Sequence, residues 1–161
     1  MAPHEVSFTY NIYSDQSELS EADQTLIASA IKATELAYAP YSKFKVGVAI
    51  RTMDSQIVLG SNQENGSFPI GQCAERVALY MLSNEHGRKP IDTIAIMVDH
   101  ENQTSPASPC GSCRQVLNEY RNFQNTPVRL LLGSMRSKEI HEINDVRDLL
   151  PFAFNGSFLG Q

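Results

Sequence analysis

Two short stretches hold all three cysteines of this chain, and their spacing is typical of a metal site. Cys73 lies two residues before Glu75, while Cys110 and Cys113 form a Cys-x-x-Cys pair. Thiolates are strong zinc ligands, and such a pair commonly supplies half of a zinc site. Three protein ligands leave one tetrahedral position open, where a water molecule can be bound and activated. The pattern predicts one Zn²⁺ per chain, with Glu75 beside that water as a catalytic proton carrier.

Both cysteine stretches are predicted to open helices. Cys73 precedes an apolar helical pattern, and Cys110 precedes a second helix over residues 111 to 121. The positive end of a helix lowers the pKa of a thiol and favours the thiolate. Three thiolates on Zn²⁺ leave the site negatively charged, which weakens the acidification of a bound water. Arg76, one turn after Cys73, can donate to the sulfurs and offset that charge; the alternative for Arg76 is an ordinary surface arginine.

Five blocks of sequence resemble, in the same order, the small-subunit, three-cysteine type of the cytidine deaminase family. The blocks are residues 41–47, 62–65, 73–76, 109–115 and 149–154. The resemblance implies zinc-dependent hydrolysis of free cytidine and deoxycytidine to uridine and deoxyuridine, with release of ammonia, as in pyrimidine salvage. It also implies a homotetramer whose active sites are shared between subunits.

The same resemblance assigns residues that would bind a nucleoside. Asn62 and Glu64 would hold the ribose, with the 3′-hydroxyl between them. The two alternate off a strand end and therefore point the same way; ordinary loop polarity is the alternative. The backbone carbonyl after Pro109 and the amide of Ala74 would read the amino group and the carbonyl of cytosine.

Two aromatic residues match those that line the pyrimidine pocket in the family. Phe44 is one, for which core packing is the alternative. Phe154 is the other, and the resemblance implies that it closes the pocket of a neighbouring subunit, although the tail could instead fold back on its own domain. The chain departs from the usual pattern at Lys45, Gly66 and Phe68, where proline, alanine and tyrosine are common. None of these changes touches the metal or the proton chemistry.

The bulk composition narrows the class of protein further. The chain has 161 residues, 42% of them hydrophobic, and a formal net charge of −5 with no run of four basic residues. Binding to a nucleic-acid backbone needs a basic footprint, so nucleic acid is not an expected partner. No apolar run approaches the roughly 20 residues of a membrane span, and the start has no signal-peptide pattern. An odd number of cysteines is a poor disulfide framework, and we expect a cytoplasmic protein.

Hydrophobic periodicity predicts the element order α-β-β-α-β-α-β-β for residues 17–161, the deaminase domain. This order favours an α/β fold with a mixed sheet of about five strands, in agreement with the three-layer α-β-α sandwich that the resemblance implies. The last two strands should be antiparallel, because the connection over residues 133–138 is too short for a parallel crossover. Residues 1–16 form an N-terminal extension, in which the alternation over Val6–Tyr13 predicts an added strand.

Other functions remain open at this point. Blasticidin S deaminase shares both cysteine elements, but the 149–154 block and the pair Asn62 and Glu64 favour cytidine. A nucleic-acid-editing deaminase is disfavoured by the charge and by cysteine at position 73. A thioredoxin-like redox protein or a structural zinc module, completed by a histidine, are the candidates outside the deaminase class.

Overall fold

A computed structural model describes residues 1–159, apart from the side chain of Phe158. Their regular structure consists of three α-helices, six strands and four short 3-10 helices. In chain order the α-helices and strands are β1 (Tyr10–Tyr13), α1 (Glu21–Thr34), β2 (Lys45–Thr52), β3 (Ile57–Ser61), α2 (Ala74–His86), β4 (Ile91–Asp99), α3 (Gly111–Gln124), β5 (Arg129–Ser134) and β6 (Ile140–Ile143). Within these residues, no helix is both long and apolar enough to cross a membrane.

The six strands form one mixed sheet in the order β1-β6-β5-β4-β2-β3. Only β4 and β5 run parallel, and β5 and β6 are antiparallel, as predicted. The sheet has six strands and not about five, because β1 adds to it by pairing with β6. The predicted strand Val6–Tyr13 is shortened to Tyr10–Tyr13 for a physical reason. Its partner β6 has four residues, and each of them is already paired with one residue of β1.

Helices cover both faces of the sheet, which confirms the three-layer arrangement. Helix α1 packs on one face through an apolar cluster that includes Leu26, Ile27 and Ala30. Helices α2 and α3 pack on the other face through a larger cluster, to which Leu79 and Leu117 belong. Two separate apolar layers therefore hold the helices against a single sheet.

Helices α2 and α3 have well-defined beginnings that matter for the site. Cys73 is the N-cap residue of α2, and Cys110 is the N-cap residue of α3. Gly87 ends α2 with a φ of 73°, and Asn125 ends α3 in a left-handed conformation. Both cysteine stretches thus lie at helix N-termini on the same face of the sheet.

A chain of polar contacts anchors the N-terminal strand on the α1 face. Asn11 Nδ2 and the Tyr13 hydroxyl each donate to Glu142 Oε2 at 2.8 Å. Glu142 also pairs with Arg129 at 3.0 Å, and Arg129 contacts the buried Asp23 of α1. The first strand is therefore held by specific charge-assisted bonds as well as by its backbone pairing.

Candidate metal centre and active site

The three cysteine sulfurs lie together at the N-termini of α2 and α3. Cys73 Sγ is 3.8 Å from Cys110 Sγ, and Cys110 Sγ is 3.5 Å from Cys113 Sγ. All three sulfurs lie within 4.8 Å of one another. Four tetrahedral ligands at a zinc–sulfur distance of about 2.3 Å would stand about 3.8 Å apart. The spacing of the three sulfurs therefore fits one zinc ion per chain.

The protonation of Cys73 and Cys113 also suits a metal. The interaction with the Cys113 thiol lowers the pKa of Cys73 to about 5, and Arg76 contributes in the same direction. The same interaction raises the pKa of Cys113, which is buried. These shifts favour a thiolate at Cys73 beside a buried Cys113 thiol that keeps its proton. A divalent cation with a preference for sulfur can replace that proton.

Arg76 lies where the sequence placed it, beside the first sulfur. Its Nη2 donates to Cys73 Sγ at 3.9 Å and to the Gly71 carbonyl at 3.4 Å. Its Nε is buried and has no hydrogen-bond partner among the described residues. The guanidinium is therefore held against the cluster, where it opposes the negative charge of the thiolates.

Glu75 is a buried carboxylic acid in the first turn of α2, with 6% of its surface exposed. Burial raises its pKa above the ordinary glutamate value, and the neighbouring Cys73 acts in the same direction. A carboxyl group with a raised pKa exchanges protons more readily near neutral pH. Glu75 therefore combines the burial and the proton affinity of a general acid–base.

A cavity of about 760 Å³ opens directly on this cluster. Its wall contains two of the sulfurs, from Cys73 and Cys110, together with Glu75. The rest of the wall contributes aromatic, polar and aliphatic side chains and includes Tyr41, Phe44, Asn62, Glu64, Phe68, Ala74, Ile96 and Val98. Cavities of this volume, mostly apolar with a few convergent polar groups, are typical of small-molecule sites.

Asn62 reaches the cavity but also supports its wall. Its Nδ2 donates to the Phe44 carbonyl at 2.9 Å, and its Oδ1 accepts from the Val46 amide at 2.8 Å. The side-chain amide thus replaces a backbone peptide at the start of β2. One Nδ2 hydrogen is left for a ligand, since the amide has two. The predicted sugar contact therefore shares its side chain with a structural bond that the sequence did not reveal.

Glu64 lines the same cavity as Asn62 and is fixed by the turn before β2. Its carboxylate accepts from the Tyr41 and Ser42 amides at 3.0 and 3.3 Å and from the Ser42 hydroxyl. These bonds, led by that of the Ser42 hydroxyl, hold the pKa of Glu64 below its usual range. Glu64 therefore presents an ionised acceptor at the cavity wall.

Four of the predicted site residues lie outside the wall that residues 1–159 form, namely Arg76, Pro109, Cys113 and Phe154. Arg76 contacts Cys73 Sγ, and Cys113 is buried. Pro109 is buried, and its carbonyl accepts from Arg114 Nε at 2.8 Å. Phe154 is 56% exposed, and its carbonyl accepts from Gln115 at 2.9 Å. In a single chain, Phe154 does not line the cavity that the sulfurs and Glu75 share.

The structure also adds residues that spacing alone did not assign to the site. Tyr41 and Phe68 line the cavity and meet edge to face, with ring centroids 5.6 Å apart. His100, at the end of β4, packs against Phe44 with centroids 5.2 Å apart. Tyr41 lies in one of the five blocks that resembled the family, and that was the available signal. No motif pointed to His100.

Comparison with known proteins gives a consistent result. The family model for the zinc-binding region of cytidine and deoxycytidylate deaminases matches residues 20–128. A cytidine deaminase from Halalkalibacterium halodurans is 41% identical over 131 residues, which cover 81% of this chain and 92% of that protein. One from Sporosarcina psychrophila is 40% identical over 132 residues, covering 82% and 90%.

Solved structures agree with the sequence relatives. The crystal structure of cytidine deaminase from Burkholderia pseudomallei has a TM-score of 0.73 at 36% identity, covering 84% of this chain and all of the other. That of cytidine deaminase from Mycobacterium tuberculosis has a TM-score of 0.63 at 32% identity, covering 82% and 96%. By the family match, the sequence identities and the fold, this chain belongs to the family of zinc-dependent cytidine and deoxycytidylate deaminases.

Proposed function

We propose that this chain catalyses the hydrolytic deamination of free cytidine and deoxycytidine to uridine and deoxyuridine, with release of ammonia. The observation that carries the proposal is the shared cavity. One space of about 760 Å³ joins a three-sulfur metal site, a buried carboxylic acid and a polar pair suited to a sugar. A zinc ion held by Cys73, Cys110 and Cys113 would lower the pKa of a bound water molecule and so make it a nucleophile that can attack the ring. The relatives named above support cytidine as the substrate.

The proton transfers fall to Glu75 in this proposal. Its carboxylate takes a proton from the attacking water and passes it to the ring nitrogen N3 as the C4–O bond forms. It then carries the remaining hydroxyl proton to the amino group, so that the C4–N bond breaks and ammonia leaves. Cytidine and water are thereby converted to uridine and ammonia without a net change in the protonation of Glu75. A buried carboxyl with a raised pKa suits both directions of transfer.

Binding of the nucleoside is assigned to the opposite wall. The free Nδ2 hydrogen of Asn62 and the ionised Glu64 would hold the 3′-hydroxyl of the sugar. Phe44 would face the pyrimidine ring. The Ala74 amide, in the first turn of α2 where N–H groups have no intrahelical acceptor, would bind the carbonyl of cytosine. The carbonyl after Pro109 would accept from the amino group that leaves.

We further propose a homotetramer in which Phe154 completes the cavity of a neighbouring subunit. The support is the exposure of the tail. Phe152 and Phe154 are 95% and 56% exposed, and within residues 1–159 Phe154 lies outside the cavity wall of its own chain. A protein cut before Phe152 should keep one zinc per chain and lose most turnover. Mixing it with full-length Glu75→Gln subunits should restore some activity, whereas a fully active monomer would contradict the shared site.

The remaining assignments concern domain organisation and location. We propose that residues 1–16 are an extension added to a deaminase domain of residues 17–161, since the family match begins at residue 20. A protein that starts at residue 17 should then retain zinc and turnover, and loss of zinc would contradict this division. We also propose a cytoplasmic location, where three free thiols would stay reduced.

The direct test of the substrate is an absorbance assay with a panel of cytosine compounds. Cytidine and deoxycytidine should both be converted, and free cytosine should be a poor substrate because it cannot use Asn62 and Glu64. If the protein converts blasticidin S but not cytidine, its activity is that of a blasticidin S deaminase and the proposed substrate is wrong. Equal kcat/KM for cytosine and cytidine would contradict the sugar site.

A further inference from the structure

The turn between α1 and β2 is fixed by hydrogen bonds of its own. Lys43 adopts a left-handed backbone with a φ of 59°, and its amide donates to the Ala39 carbonyl at 3.1 Å. Ser42 Oγ accepts from the Phe44 amide at 3.0 Å. Because Ser42 Oγ is the acceptor in that bond, its own proton remains available as a donor. The Ser42 hydroxyl hydrogen is therefore available to an acceptor outside the turn.

That hydroxyl hydrogen is donated to Glu64. Ser42 Oγ bonds to Oε1, while the Tyr41 and Ser42 amides, at 3.0 and 3.3 Å, both bond to Oε2. An ionised carboxylate offers about four acceptor positions, two on each oxygen. Three of them are therefore occupied within the protein. The position that remains is on Oε1, the oxygen that Ser42 orients.

We propose that Ser42 is a positioning residue that determines how the sugar is recognised, by turning the one free acceptor of Glu64 toward the cavity. The proposal rests on the proposed function, in which Glu64 binds a hydroxyl of the nucleoside. Asn62 keeps one free donor, because its other amide hydrogen bonds to the Phe44 carbonyl. One donor and one acceptor match a single hydroxyl, which accepts one bond and donates another.

The free donor of Asn62 and the free acceptor of Glu64 also discriminate against sugars that carry another group in place of the hydroxyl. A sugar that lacks the hydroxyl leaves the carboxylate without its last partner. A phosphate at the same carbon brings negative charge and no donor against a carboxylate that stays ionised. The pair therefore selects free nucleosides over nucleoside 3′-phosphates. This selection depends on Ser42, because the terminal torsion of a glutamate is broad and does not fix the carboxylate by itself.

The test compares cytidine with 3′-deoxycytidine in the wild type, Ser42→Ala and Ser42→Thr proteins. Ser42→Ala keeps both backbone amides and removes only the hydroxyl. We expect it to lower kcat/KM for cytidine about tenfold, chiefly through KM, since hydrogen bonds to charged groups have effects of this size. The value for 3′-deoxycytidine should change less than twofold. Ser42→Thr, which retains the hydroxyl, should keep the preference of the wild type, and zinc content should be equal in all three.

Two outcomes would overturn the proposal. An equal loss for cytidine and 3′-deoxycytidine would mean that Ser42 acts only through the fold of the turn, and no loss would mean that it has no positioning role. If Ser42→Ala does not fold, Ser42→Gly permits the same comparison. Glu64→Gln gives an independent check, because it should lose the preference for cytidine while Ser42→Ala adds little in the double variant. Failure of the proposed function is distinguishable, since the wild type would then convert neither nucleoside.

Discussion

Gly60 of β3 lies so close to α2 that one added methyl group should displace the active-site helix. A Cβ at Gly60 would stand 2.4 Å from Ala78 N and 2.7 Å from both Ala74 O and Ala78 Cα. All three atoms belong to the helix backbone and cannot move aside by a change of rotamer. Ordinary contacts between such atoms are about 3.5 Å or longer, so Gly60→Ala requires α2 to move by about 1 Å.

The size of the expected effect follows from what α2 carries. Overpacking of this kind costs about 1–3 kcal/mol of unfolding free energy. For a domain of this size, that corresponds to a fall in Tm of roughly 2–12 °C. Helix α2 begins after Cys73 and holds Glu75 in its first turn. A misplacement of about 1 Å at catalytic groups lowers the rate about 100-fold. We therefore expect Gly60→Ala to reduce both Tm and kcat/KM for cytidine.

Gly111→Ala is the matched control for this experiment. Gly111 is the first residue of α3, and a Cβ there would meet no atom within 4 Å apart from its chain neighbours and its own helix backbone. The change should leave zinc content and activity unaltered and raise Tm by about 1–4 °C. Both variants are compared by thermal unfolding, zinc content and cytidine turnover. If Gly60→Ala behaves like Gly111→Ala, the close packing of β3 on α2 does not set the geometry of the site.

Three further variants test other parts of the structure. Burial by itself raises the pKa of Asp23, but hydrogen bonds from two arginines hold it below its usual value. The stability it contributes is therefore present above about pH 4 and lost as the pH falls through the lower, folded-state pKa. Asp23→Asn should cost about 2–3 kcal/mol in urea unfolding at pH 7, with a difference from the wild type that narrows below about pH 4; a difference independent of pH would contradict this. Asn62→Ala should raise KM for cytidine and also lower Tm, because it removes bonds to the Phe44 carbonyl and the Val46 amide; an unchanged Tm would refute the structural part. Cys113→Ala should abolish zinc binding, and retained zinc would remove this buried thiol from the metal site.

The sequence was most informative about the metal site because its parts are local. Cys110 and Cys113 share one helical turn, and Cys73 and Glu75 open another, so spacing alone brings each set together. Only the proximity of the two helix N-termini could not be predicted without the fold. The sheet was predicted almost completely for a similar reason, since each strand has its own alternating or apolar run. The true length of the strand predicted over Val6–Tyr13 could not be found from the sequence. The number of residues that pair is set by the four-residue length of its partner β6, and the partner itself is known only from the fold.

The contacts that the sequence did not predict join residues far apart in the chain. Ser42 and Glu64 are 22 positions apart. Their bond forms beside a left-handed turn at Lys43, and the sequence has no glycine there to indicate such a turn. The backbone role of Asn62 is hidden for the same reason, since its spacing from Glu64 suggests only a common direction. Phe154 raises a different difficulty. Its place in a neighbouring subunit would depend on contacts between chains, which neither the sequence nor the fold of one chain contains.

The most direct test of the central claim is to measure zinc content and cytidine turnover together in Glu75→Gln. In the proposed mechanism, Glu75 is a proton carrier beside the metal site and not a ligand. The variant should therefore bind one zinc per chain, as the wild type does, and lose at least about 10²–10⁴ in kcat. Retained turnover with full zinc would contradict the assignment of proton transfer to Glu75. Loss of zinc would show instead that this carboxylate belongs to the metal site itself.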